Sequence, residues 1–366
     1  MTGVRTEPAP TGGLARARLI AALVAVGLIA VSCGGTSHSP AAASGDGLVP
    51  VGAGLRGLAG LKASAYTRGV PSVAALALDP QGRIWAATAD YTDKGNDGLF
   101  VAARPGGRAV KVVVGLHTAL GLLWYHESLY VASAGRVDAY SDFDGSTFAT
   151  RRTILTLPAG TGQNNGIVLA PDGRMRMGIS APCDHCTPAS TWAASVVSFL
   201  PDGSDLRVDA SGIRAPIGLA YYPGTSDLFV TMNQRDDLGA RTPGDWLAVV
   251  RRGQAWGFPS CYGQGGAACT DAPHPTAVLD KHAAVSGLAI VTGRLGRTAG
   301  RSALVAEWAK GKVQRVALHR SGSAYKGSVA PFLTGMKSPV PVLLGPSGVL
   351  LVGDWATGTV SSISAR

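Results

Sequence analysis

Charge, aromatic residues and cysteine are all scarce in this chain. Charged residues make up 15% of it, aromatics 6%, and cysteine occurs five times in 366 residues. No tract of like charge or of Gln and Asn is present, which argues against a disordered chain. The formal net charge is +10, but no finger, basic helix or aromatic-basic motif accompanies it. The positive residues are scattered rather than striped, and three of them (Arg5, Arg16 and Arg18, against Glu7) sit near the start. That argues against nucleic acid as a partner. What is abundant is glycine, 50 residues, set among short apolar runs in a chain that is 46% hydrophobic. Many short apolar runs with glycine-rich turns favour an all-β protein.

The one long apolar run, Leu19 to Val31, follows Arg16 and Arg18 and ends in Ala30-Val31-Ser32-Cys33-Gly34-Gly35. It is short for a membrane span and closes on small residues before a cysteine. Residues 1–32 therefore read as a lipoprotein signal peptide and Cys33 as the lipidated residue. The protein is expected outside the cytoplasm, anchored to the membrane through that lipid. The early arginines do not form a twin-arginine signal, so export unfolded is expected. From residue 33 to about Gly60 the chain is Gly, Ser, Ala and Pro, the composition of a flexible tether. The other four cysteines sort into two close pairs, Cys183 with Cys186 and Cys261 with Cys269, which is economical as two disulfides in an exported protein. Cys183-Asp184-His185-Cys186 also reads as half a zinc site, although no second pair with metal spacing follows.

One pattern recurs six times. It begins at Val73, Gly121, Gly166, Gly218, Gly287 and Pro341, and each copy is an apolar strand, a tight turn such as Ala170-Pro171-Asp172-Gly173, and a second apolar strand. Proline presets one backbone angle of such a turn and glycine supplies the positive φ. A lone hairpin cannot hide its faces, whereas hairpins stacked as blades can. Residues 61–366 are therefore expected to form a six-bladed β-propeller of four-stranded antiparallel blades. More polar strands between the copies, such as 108–114 and 196–200, are expected on the outside of the blades.

From about Gly160 onward the residues carry a resemblance. In order they are QNNGIVLAPDGR, the Cys183/Cys186 pair, GIRAPIGLAYYPGT, MNQRDDLG, QAWGFPSC, Lys281-His282-Ala283-Ala284, Phe332-Leu333-Thr334-Gly335 and LLVGDWATGTV. Together they resemble the glucose/sorbosone dehydrogenase family, six-bladed propellers that bind pyrroloquinoline quinone and calcium and oxidise sugars. The first two blades match by pattern alone. The resemblance implies a small sugar or alcohol substrate, a monomer, and quinone and calcium as cofactors. It places Arg214 at a catalytic and cofactor-binding position. Trp308, Lys310 and Asp354 fall at further cofactor positions, and Asn233, Asp236 and Asp237 at a calcium-binding corner.

The chain departs from that pattern at several polar positions. The histidine that serves the family as base is Gly162 here, and glycine takes no proton. Arg214 is followed by Ala215 in place of asparagine, Asp245-Trp246-Leu247-Ala248 replaces Asp-Glu-Leu-Asn, and Ser338 stands where many members have arginine. His185, His282, His117 and His126 are the candidates for a stand-in base. Two functions follow. One is a quinone-dependent sugar or alcohol dehydrogenase with altered catalytic residues, its cofactor loaded outside the cell. The other is a non-catalytic propeller binding a ligand or partner at the envelope, for which an uncharged or apolar central pocket is expected. A calcium-dependent lactonase would need a Glu-Asn-Asp cage, and neither Glu127 nor Glu307 has companions for one.

Overall fold

The computed structural model describes residues 47–262 and 269–366. The signal segment and Cys33 lie outside them. Among the described residues no helix is long and apolar enough to cross a membrane.

The local chemistry of the turns sets the hairpins. In the third copy the Gly173 N–H donates to the Ala170 carbonyl at 3.0 Å, Asp172 Oδ1 accepts from the Arg174 N–H at 3.1 Å, and Gly173 takes φ +79°. The same arrangement closes the turns at Asp79–Gly82 and Leu200–Gly203. Each turn returns the chain so that a second apolar strand pairs with the first.

The described strands form six antiparallel blades. Their innermost strands are Val73–Leu78, Gly121–Tyr125, Asn164–Leu169, Pro216–Tyr221, Val285–Thr292 and Pro339–Leu344. These are the first strands of the six sequence copies, and successive ones lie against each other around a closed ring. We number the blades one to six in that order. The sixth is completed from the other end of the chain: Leu61–Thr67 pairs antiparallel with Thr359–Ala365, with Ala63 opposite Ile363 and Ala65 opposite Ser361. Each hydrophobic cluster is sandwiched between neighbouring blades. Trp85, Leu99, Leu122 and Tyr140, for example, join blades one and two.

Two expectations need correction. Residues 47–57 are not a free tether. Val49–Gly52 and Leu55–Gly57 are strands that extend the outer edge of blade five beyond Ala324–Thr334. Leu48, Val51 and Leu55 are buried, three well-spaced apolar side chains in an otherwise small-residue stretch. Strand Ser195–Phe199 is the third of its blade but is buried along its whole length, unlike the exposed outermost strand Val110–Leu116. Its side chains enter the apolar clusters on both faces of the blade, and the segment Gln254–Ala255 adds in parallel beyond Arg207–Ser211 at the edge.

The cysteines pair as Cys183–Cys186 and Cys261–Cys269, with Cα atoms 6.0 and 5.0 Å apart. The first pairing replaces the zinc reading of that motif. Disulfides persist in oxidising compartments, in keeping with a protein outside the cytoplasm.

The repeated glycine near the start of the copies has a steric cause. A Cβ on Gly121, Gly166, Gly218 or Gly287 would fall 2.4, 2.8, 2.4 and 2.4 Å from the carbonyl oxygen of Asn165, Ile217, Ser286 and Val340. Each carbonyl belongs to the next innermost strand, so the strands converge too closely for any side chain there. Gly218→Ala should therefore cost on the order of 1–3 kcal/mol through overpacking, read from denaturant unfolding. A neutral effect would mean that the inner ring is loose enough to yield.

Candidate functional site

The innermost strands begin at one face of the ring, and the loops around those beginnings enclose a cavity of about 710 Å³ over blades three to five. Its wall combines backbone and side chains of Gly162 and Gln163, the disulfide loop 180–184, Arg214, Asn233, Asp236, Asp245, His282 and Trp308.

Asp184 organises this wall. Its carboxylate accepts from Arg214 Nη2 at 2.5 Å and from the backbone N–H groups of Asp236 (2.9 Å) and Asp237 (2.8 Å). The disulfide Cys183–Cys186 holds the loop that carries it. Arg214 also donates from Nε to the Asp184 carbonyl at 2.9 Å and from Nη1 to the Asn233 carbonyl at 3.2 Å. These bonds tie the guanidinium to the loops of blades three and four. The sequence pointed to Arg214 but not to Asp184, which was read as part of a cysteine motif.

Asn233 and Asp236 line the cavity, as the expected calcium corner required, but they do not converge on a point. Asp236 Oδ1 lies 2.6 Å from His282 Nδ1, and Asp237 pairs with Arg235. The Asn233 side-chain oxygen is buried with no protein donor. Among the described residues no cluster of three His, Cys, Asp or Glu side chains is arranged to hold a metal.

His282 is the histidine in the wall. Its Nε2 faces the Gly239 carbonyl at 2.9 Å and its Nδ1 faces Asp236. Both partners are acceptors, an arrangement that favours a proton on each ring nitrogen. The Asp236 hydrogen bond, then the Gly239 carbonyl, raises its pKa. A ring so held has no free nitrogen to take a proton. His185 lies 4.0 Å from Asp237 and His117 2.8 Å from Asp93, both outside the wall, and His126 packs beside Tyr125.

Gly162 is more than a missing histidine. Its N–H donates to the Ser180 carbonyl at 3.0 Å, and a Cβ there would lie 2.4 Å from the Ala181 oxygen and 2.6 Å from that of Ser180. The backbone of the disulfide loop occupies the space that a side chain would need.

Trp308 lies in the wall with its ring edge-on to Trp355 at 6.1 Å. Lys310, two residues on, is exposed and forms no part of the wall. Asp354 is buried and accepts from the N–H groups of Lys337 (2.7 Å), Ser338 (3.2 Å) and Ala356 (3.2 Å). It is a structural tie between a strand end and the neighbouring loops.

The ring shares its architecture with known enzymes. The PQQ domain of pyranose dehydrogenase from Coprinopsis cinerea superimposes with a TM-score of 0.68 at 16% identity, covering 85% of this chain and 97% of that one. The PQQ-bound aldose sugar dehydrogenase from Streptomyces coelicolor gives 0.66 at 17%, covering 85% and 100%. The soluble aldose sugar dehydrogenase from Escherichia coli gives 0.65 at 17%, covering 84% and 100%. No protein-family model and no curated protein matches the sequence. At these identities the likeness is one of fold: this chain is a six-bladed propeller of the kind found in soluble quinoprotein sugar dehydrogenases.

The floor of the cavity carries a titrating group. Burial pushes the Asp245 carboxyl up to about 6, opposed by the N–H groups of Gln234 and Val285, which it accepts at 2.8 and 3.2 Å, while the charge of Asp236 adds to the rise. An acid with a raised folded pKa favours the fold when neutral. That contribution is complete below about pH 4 and is lost as the pH climbs through about 6, in all about 3 kcal/mol. Asp245→Asn gives up one N–H acceptor and starts less stable. The gap in unfolding free energy between wild type and variant should narrow by about that amount from pH 4 to 7. A gap independent of pH would show that folding leaves the Asp245 carboxyl at its unfolded pKa.

Proposed function

We propose that this protein is a lipid-anchored, extracytoplasmic propeller of the sugar dehydrogenase type whose cavity binds a small neutral sugar or polyol. The observation that carries the reading is the composition of the wall: carboxylates, side-chain amides and an aromatic face around one concave site. Hydroxyl groups both donate and accept. Asp236 and Asp184 offer acceptors, Gln163 offers both functions, and Asn233 has an acceptor without a protein donor. Trp308 supplies an apolar surface for a ring face.

The residues present do not fit the quinone. It carries three carboxylates, and the wall sets three aspartates against Arg214 and His282. Both cations are already committed to aspartates. A bound trianion would compete with those aspartates for the two cations and meet the Asp245 carboxyl as well. Calcium asks for six to eight oxygen ligands, and among the described residues no three His, Cys, Asp or Glu side chains converge to hold a metal.

A second reading, an active quinone-dependent sugar oxidoreductase, is favoured by Arg214 and Trp308 lining the same cavity. One calorimetric series separates the two. Neutral monosaccharides and polyols are titrated first, then pyrroloquinoline quinone with and without calcium, followed by dye-linked sugar oxidation. Sugar binding with no quinone binding supports the proposal. Tight, calcium-dependent quinone binding with turnover supports the oxidoreductase, and binding of neither overturns both.

A further inference from the structure

Beneath the polar cavity, along the axis of the ring, runs a channel of about 830 Å³. Its character is the reverse of the cavity's. Leu78, Leu123, Val168, Leu343 and Leu344 reach into it half-buried from four different blades. Asp90, at the mouth, is the one charged residue among its described lining. The two spaces are not separate, because Gln163, Ile217, Asn233, Ala284 and Trp308 belong to the walls of both. Tyr91, Trp308 and Trp355 gather near the mouth. Such residues suit a boundary that is apolar on one side and wet on the other.

We propose that cavity and channel form one site for a single-chain glycolipid, with the sugar headgroup in the cavity and the alkyl chain in the channel. The proposal rests on the sugar reading above and names the class of sugar that the site prefers. A free monosaccharide fills only the upper space and leaves the apolar channel to water. A chain attached at the glycosidic oxygen removes that water at no further cost in overall orientation, because the headgroup is already held. An anionic headgroup would meet three aspartates, with Arg214 and His282 already paired to two of them, and a plain hydrocarbon would leave the polar wall unpaired. The sequence of surfaces therefore selects a neutral amphiphile. Volumes of this size are typical of small-molecule sites.

The test is calorimetry on the purified protein with methyl, hexyl and octyl glycosides of glucose, galactose and mannose, each below its micelle concentration. Octyl phosphocholine serves as the probe without sugar. The expected result is weak binding of one methyl glycoside and up to about a fourfold gain in affinity for each added methylene until the channel is filled. Val340 lines the channel but not the cavity and belongs to no hydrophobic cluster. Val340→Asp should abolish the dependence on chain length and leave the methyl glycoside affinity unchanged. Equal affinity for methyl and octyl glycosides overturns the inference and leaves the sugar reading standing. Octyl phosphocholine binding as tightly as the octyl glycosides, with no methyl glycoside bound, overturns the sugar reading and the glycolipid with it. Silence from every glycoside does the same.

Discussion

Everything in this molecule depends on a joint between the two ends of the ring. Six blades share one axis only if the last packs on the first, and the C-terminal end of the chain supplies only three strands of the last blade, leaving a gap at its outer edge. Here strand Leu61–Thr67 crosses that gap and pairs with Thr359–Ala365. The consequence reaches the site. Once the ring is closed the innermost strands converge, their starting ends face one side, and loops distant in sequence are forced together. Asp184 and Asp236 are 52 residues apart, and Asp236 and His282 are 46 apart. No local interaction would bring them together.

Within that frame, the electrostatics of the site are settled by pairing rather than by composition. The wall looks rich in functional groups, but Arg214 answers Asp184 and His282 answers Asp236. Groups held this way are poor acids, bases and anion clamps. Such pairs hold loops in register, the Arg214 pair partly shielded from solvent and the His282 pair at its edge. What remains open to a ligand is mostly acceptor or apolar: amide, carboxylate lone pairs on the solvent side, a tryptophan face, and the aliphatic channel below. The physical character of the pocket moves away from a redox centre for an anionic cofactor and toward recognition of an uncharged molecule.

The fold was legible because its signals are local and repeated. Pro-Asp-Gly turns, apolar strands on either side and a glycine near the start of four copies each have a short-range cause, and the structure supplies the cause of the glycine as interstrand contact. The strands at residues 49–57 were not legible, because three buried side chains in a glycine-rich stretch carry no periodicity. At the site the sequence found residue types and positions but not partners. Arg214, Asn233, Asp236 and Trp308 do meet at one cavity. Lys310 and Asp354 sit close to them in the motifs, yet the first points to solvent and the second is consumed by backbone N–H groups. Asp184 escaped notice because its importance lies in long-range bonds that only the closed ring creates. Asp245 was noted for the residues missing after it, and its own role depends on burial that a single sequence does not display.

Gly162 shows how deep the departure from the dehydrogenase pattern goes. A lost catalytic side chain usually leaves a space where it stood. At Gly162 the carbonyls of Ser180 and Ala181 lie against the glycine, and the Ser180 carbonyl and N–H bond to Gly162 and Gln163 in turn. The disulfide between Cys183 and Cys186 and the anchoring of Asp184 on Arg214 hold the same loop against that backbone. A histidine restored here would have to displace main chain that is hydrogen-bonded, cross-linked and charge-paired at once. The glycine at this position is therefore required by the course of the backbone around it. The loop packed against it is also the loop that presents Asp184, so the same close contact shapes the wall of the cavity.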